Sequence, residues 1–306
     1  MGRYILKRLG HGTVVIFGVT VIVFVVTRLV GDPVKVMLPL EATIEQRATF
    51  EKQLGLDRPI PVQFLDFLDG IVRLDFGDSL WQHRPAMEIV FEKLPLTLWL
   101  AFLGIGLAFV LSIPLGIIAA LRPGGISDRS TVFVSLIGLS VPQFWLGLLL
   151  IVVFAVQLRW LPTSGIAGPA HVILPAVTMA LPALARMVMI VRSSMIDELN
   201  QQYVKTGFAK GLPFYRVVGV HALRNASLPV VTLSGWELIR AVAGYSVVVE
   251  TVFAWPGIGL TAIQAIERED LILLQAIVFA VAITVVLINI LMDVFYTLID
   301  PRLKLA

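Results

Sequence analysis

Glu237 and Arg240 stand three residues apart in otherwise apolar sequence, a spacing that puts both on one face of a helix, where they can pair. Arg186, and Asn289 with Asp293 four residues on, fall in two further apolar stretches. An ionised side chain at the centre of a membrane helix costs about 2.5–3.5 kcal/mol on insertion scales, so each calls for a reason. Two readings fit Glu237 and Arg240: the polar lining of a substrate pathway, or a buried structural pair. Arg186 and Asp293 read more simply as residues near a span end, within snorkelling reach of the cytoplasmic interface.

Other chemistries lack their residues. His11, His83, His171 and His221 are scattered without H-E-x-x-H or comparable ligand spacing, so no metal site is expected. With no cysteine, disulfides and thiolate metal sites are excluded. There is no G-x-x-x-x-G-K-[ST] phosphate loop, and Gly257-Ile258-Gly259 lacks the lysine a nucleotide site needs. No serine lies in a G-x-S-x-G elbow. No catalytic residue is assigned, the chain is not expected to hydrolyse ATP, and no cofactor is expected in it.

The elements that must position these residues follow from hydrophobicity. Of 306 residues 58% are hydrophobic, and mean hydropathy is +0.90, above the roughly 45–50% apolar content of soluble domains. Six apolar runs, at 9–30, 96–121, 132–158, 172–191, 228–253 and 271–298, have about the 20-residue length that crosses 30 Å of hydrocarbon. The expected fold is an all-α integral membrane protein of about six transmembrane helices, the first run being a retained span because it is too long for a signal peptide and no A-x-A site follows.

Basic residues set the orientation. Arg3, Lys7 and Arg8 precede the first run, Arg122 and Arg129 lie between the second and third, and Arg192, Lys205, Lys210, Arg216 and Arg224 lie between the fourth and fifth. The tail carries Arg302 and Lys304, whereas the opposite short loops hold only Arg159 and Arg268. The positive-inside rule then places both termini in the cytoplasm. The net charge of +3 follows from this excess and gives no reason to invoke nucleic acid. The chain divides into residues 1–30, with the first span; an outer loop subdomain, 31–95; and a transmembrane core, 96–306. In the outer loop, Phe64, Leu65, Phe67, Leu68, Ile71 and Val72 recur at helical spacing, fitting packing on the membrane surface or on neighbouring spans, or a lid over a pore entrance.

Residues 193–227 predict a helix, a tight turn and a second helix on the cytoplasmic side. Asp197 and Glu198 early and Lys205 and Lys210 late suit a helix dipole. Gly211 is placed for a left-handed cap, and Pro213 for the first turn of the next helix. Phe214, Val217, Val218 and Ala222 share that helix's apolar face.

The stretch Tyr203-Val204-Lys205-Thr206-Gly207-Phe208-Ala209-Lys210-Gly211-Leu212, followed by His221-Ala222-Leu223-Arg224-Asn225-Ala226 and Leu228-Pro229, resembles the coupling loop of bacterial ABC importer permeases. The likeness is to the dipeptide/oligopeptide/nickel branch, and to the first of its two permease subunits. It extends to Gly31-Asp32-Pro33, Leu54-Gly55-Leu56-Asp57, Asp75-Phe76-Gly77-Asp78-Ser79-Leu80, Ser140-Val141-Pro142-Gln143-Phe144, Leu161-Pro162-Thr163-Ser164-Gly165, the run from Glu250 through Trp255-Pro256 to Gly259, and Asp300-Pro301-Arg302. Gly207 stands where alanine is usual, Phe208 where a basic residue is common, Lys205 where the broad importer motif has glutamate, and Val30 where proline is usual.

The resemblance implies a multi-pass subunit of the bacterial inner membrane that pairs with a second, similar permease around a shared pathway. Two cytoplasmic ATPase domains, carrying ATP and magnesium, would drive it through Tyr203, Lys205, Thr206, Gly207, Ala209, Lys210, Gly211, Leu212 and Pro213. A solute-binding protein would deliver a peptide-like or other small solute from outside, and the cavity would change sides by alternating access. A secondary transporter or channel, which would show broken-helix repeats with midplane charges, and a membrane enzyme with a clustered polar site are the competing classes.

Overall fold

The computed structural model describes residues 2–30, 43, 45, 52 and 57–299; the landmarks at 31–33, 54–56 and 300–302 lie outside them. Among the described residues the chain is helical, with one isolated bridge between Asp78 and Pro85. The helices are α1 (Gly2–Val30), α2 (Ile60–Arg73), α3 (Ala86–Ala120), α4 (Ile126–Ser140), α5 (Gln143–Gln157), α6 (Ile173–Leu199), α7 (Gln202–Ala209), α8 (Phe214–Phe253), α9 (Ile258–Glu267) and α10 (Leu271–Ile299). Among the described residues four segments are long and apolar enough to span a membrane alone: Arg8–Thr27 of α1, α3, Pro169–Leu199 around α6, and Leu271–Phe295 of α10. Two bent pairs, α4 with α5 and α8 with α9, raise the number to six if each is one span.

The bends have local causes. The apolar run at 132–158 reads as one span, but the chain turns by 101° between α4 and α5. Proline disfavours helical geometry in the residue before it, and here Val141 is extended (φ −79°, ψ 123°) and the ladder stops at Ser140. Between α8 and α9 the turn is 78°. Ala254 closes α8 in the left-handed region (φ 47°), Trp255 N–H returns to the Glu250 carbonyl at 2.9 Å, and the Trp255 ring is buried.

The chain forms two compact units, Met1–Leu96 with Gly257–Ile290, and Thr97–Pro256 with Leu291–Ala306. In the first, the amphipathic α2 lays Phe64 and Phe67 against α1, in a run of ring contacts from Phe17 through Phe64, Phe24, Phe67 and Phe76 to Phe279, with centroids 5.1–6.4 Å apart. Phe64 and Phe67 thus pack on a neighbouring span, whereas Leu65 and Val72 of the same stretch are exposed. Asp270 is wholly buried and joins the loop after α2 to the start of α10. It accepts from Ser79 Oγ at 2.5 Å, Trp81 N at 3.2 Å and Leu273 N at 3.0 Å.

In the second unit α6 packs against α4 and α8, and Gly116 of α3 admits it closely: a Cβ there would lie 2.5 Å from Val191. Such small-residue approaches are how membrane helices gain packing where the hydrophobic effect between them is weak.

Candidate functional site

The expected turn between two helices is present, with different boundaries. Asp197 and Glu198 belong to the last turn of α6, so they do not complement the dipole of the helix carrying Lys205 and Lys210. That helix, α7, starts after Asn200 and Gln201 and runs only Gln202–Ala209. Gly211 has φ +75°; its N–H reaches the Phe208 carbonyl at 2.9 Å, and Leu212 N–H reaches Gly207 O at 3.2 Å. This paired pattern closes a helix end around a left-handed residue and satisfies carbonyls the helix leaves open.

Pro213 is the residue just before α8 (φ −66°, ψ 147°), where its missing N–H costs nothing. The second helix is not a separate short one. It is the start of α8, which continues through wider π-type turns at Val217–Ala222 and Ala241–Tyr245 to Phe253. At about 1.5 Å per residue α8 is about 60 Å long, roughly twice the hydrocarbon thickness. Pro229 lies inside this helix, between the two wide turns.

Val204 is the plug of α7, buried among Val217, Val218, Ala222, Ala226, Met195 and Val191. Phe214, expected on this buried face, is instead 55% exposed and stacks on Phe208 with centroids 6.4 Å apart. Tyr203, Lys205, Thr206, Ala209, Lys210, Gly211 and Pro213 are exposed, while Gly207 and Leu212 are half-buried beneath them. A clasp that sequence reading missed holds this piece. The Tyr203 hydroxyl donates to Glu198 at the end of α6, and Asn225 Nδ2 of α8 donates to the Tyr203 oxygen at 3.1 Å. Burial, and then the bond to Glu198, push the phenol above its ordinary pKa, so it stays a donor.

The intramembrane charges also regroup. Glu237 is wholly buried, and its main partner is Arg186, with Nε to Oε1 at 2.6 Å and Nη2 to Oε2 at 2.9 Å. Arg240 reaches the same Oε1 with one Nη1 at 3.4 Å. Arg186, read from sequence as a snorkelling residue, is thus the ion-pair partner, because a side chain from another helix can meet the carboxylate in the planar two-point geometry that an i, i+3 neighbour cannot. Arg186 Nη2 also donates to Tyr245 Oη at 2.8 Å, at the end of the wide turn. Two other buried carboxylates tie helices: Asp128 of α4 pairs with Arg192 of α6, and Glu250 of α8 accepts from the Thr97 hydroxyl of α3 at 2.5 Å. Two of these groups, Arg186 and Arg192, sit on α6, and a search for pairs within single helices could not connect them.

This architecture is shared with known transporters. The solved MetNI methionine ABC transporter, in inward-facing conformations, aligns with a TM-score of 0.58 at 22% identity, covering 70% of this chain and 97% of that one. The two chains share a fold. Residues 112–305 match the family described as binding-protein-dependent transport system inner membrane component, and residues 1–101 match its N-terminal companion. The oligopeptide transport system permease protein AppB of Bacillus subtilis is 37% identical over 99% of this chain and 100% of its own length. The glutathione transport system permease protein GsiC of Escherichia coli K12 is 37% identical over 99% of each chain. A probable peptide ABC transporter permease of Sinorhizobium fredii is 38% identical over 99% of this chain and all of its own length. The chain belongs to the family of binding-protein-dependent transport system inner membrane components: it is a multi-pass inner-membrane permease subunit of an ABC importer.

Proposed function

We propose that this subunit pairs with a second, homologous permease and that the two enclose a pathway for a peptide-like solute. The solute class follows the names of the relatives, which transport oligopeptides, glutathione or peptides. An extracytoplasmic solute-binding protein delivers the solute, both termini are cytoplasmic, and two ATPase domains with ATP and magnesium drive the cycle from below. The loop 193–227 receives the ATPase, the outer segment 31–95 faces the delivery side, and Glu237 and Arg240 mark the pathway.

One observation carries the reading: α7 is an eight-residue helix with one buried side chain, anchored by Val204 and the Tyr203 clasp, joined through a closed turn to α8. Its outer surface of Phe208, Phe214, Lys205 and Lys210 is exposed. Closure of the ATPases pressing on that surface moves α7 and the first turns of α8 as one piece, and α8 delivers the motion to Glu237 and Arg240. The test is to isolate the chain in mild detergent and identify its companions. A second permease and ATPase subunits, with ATP-driven uptake on reconstitution, are expected; a lone chain taking up solute on an ion gradient would replace this reading with a secondary transporter.

A further inference from the structure

The Glu237 cluster carries one cation more than it has anions. Arg186 meets both carboxylate oxygens and so neutralises Glu237 by itself. Arg240 adds a second positive charge through one contact of 3.4 Å, and among the described residues its Nε and Nη2 find no acceptor. Its side chain is 52% exposed, against 27% for Arg186 and none for Glu237. The Tyr245 hydroxyl, which accepts from Arg186, keeps its own proton undonated among the described residues.

Position decides what this surplus is for. Arg240 lies midway along the apolar run 228–253, so either end is about 18 Å away along the helix axis, beyond snorkelling reach. A guanidinium there is not stable against lipid tails, and it must meet water, protein or an anion. The exposed face of α8 continues from Arg240 to Trp236 on one side and to Ala243 and Gly244 on the other.

We infer that Arg240, with its free guanidinium edge, binds a carboxylate of the transported solute during passage, while Arg186 holds Glu237 and Tyr245. This rests on the pathway reading above. A planar fork with unused donors matches a carboxylate in two-point geometry, and the net positive charge makes the step selective against cationic groups. Glu237 keeps the anion from being held too tightly, because it competes for the same guanidinium. A free peptide carboxyl terminus is the group of this chemistry in a peptide-like solute.

The absence of cysteine makes the native chain a clean background for the test. Gly244 is exposed, and an added Cβ there meets nothing within 4 Å, so Gly244→Cys is tolerated sterically. In the assembled importer in membranes, its labelling rates with methanethiosulfonate ethylsulfonate (anionic) and methanethiosulfonate ethyltrimethylammonium (cationic) are compared, with Trp236→Cys as a second site. Adding Arg240→Gln should lower the anion-to-cation rate ratio by about tenfold at low ionic strength, because a unit charge about 6 Å away acts with opposite sign on the two reagents. Arg240→Lys should keep the ratio. Acetate replacing chloride at constant ionic strength should slow labelling by the anionic reagent in the native background, and not in Arg240→Gln. If neither cysteine reacts with either reagent, the pathway reading fails and the proposal with it. Labelling whose ratio ignores Arg240→Gln would leave the pathway in place and overturn the anion site, and equal rates in acetate and chloride would reject the carboxylate as the bound group.

Discussion

Replacing Gly211 with valine isolates the turn that joins α7 to α8. At φ +75° an L-residue with a side chain carries about 1–2 kcal/mol of backbone strain, and β-branching narrows its rotamers further. Nothing lies within 4 Å of where the Cβ would stand, so no steric clash is added and the whole cost falls on the backbone of the turn. A cost of that size shifts the ratio of closed to open turn by a factor of about 5–30. The two hydrogen bonds of the turn, Gly211 N to Phe208 O and Leu212 N to Gly207 O, would then be lost in a growing share of molecules. The membrane helices and the Val204 anchor do not depend on this φ, so insertion and pairing with the second permease should be unchanged. ATPase binding to the purified permease pair and the ratio of ATP hydrolysed to solute taken up are the measurements. Gly211→Val should weaken the first or raise the second several-fold, whereas Gly211→Asn, a residue that tolerates the left-handed region, should stay near the native protein. Native coupling in Gly211→Val, or asparagine as damaging as valine, would refute the reasoning.

Three further outcomes follow from the same geometry. Arg186→Met strands the buried Glu237 carboxylate and should destabilise the subunit by about 3–5 kcal/mol, whereas Arg240→Met leaves the two-point pair intact and should cost about 1 kcal/mol or less; thermal unfolding in detergent distinguishes them, and equal losses would contradict the assigned pairing. Ser79→Ala removes the 2.5 Å donor to wholly buried Asp270 and should cost about 1–3 kcal/mol, seen as faster proteolysis in the loop after α2; unchanged protection would show that Trp81 N and Leu273 N suffice. For topology, Val72→Cys, 83% exposed on α2, should react with a membrane-impermeant thiol reagent in intact spheroplasts, and Gln201→Cys only after permeabilisation. Position 63 is a poor probe, because Gln63 is buried and its Nε2 donates to the Arg58 carbonyl at 2.7 Å.

Hydrophobic length and local chain chemistry were legible in the sequence, because each depends on residues near one another. The apolar runs identified the membrane class, the spacing of Phe64, Phe67 and Ile71 identified α2, and Gly211 declared its left-handed turn. The boundaries that failed were those set by a competing local rule or a distant partner. Pro142 bends an apolar run that hydropathy alone reads as one straight span, and α8 absorbed the second cytoplasmic helix because its wide turns and its interior Pro229 leave the chain helical from Phe214 to Phe253. The charges depended on tertiary structure. Glu237 and Arg240 look like a pair at i, i+3, yet the carboxylate belongs mainly to Arg186, 51 residues earlier on α6. Likewise Tyr203 is tied to Glu198 and Asn225 only because α6, α7 and α8 converge. A one-dimensional pattern carries periodicity, and so it tells which face of a helix is apolar. It carries no information on which two helices face each other, and in a low-dielectric interior that choice decides which ions neutralise one another.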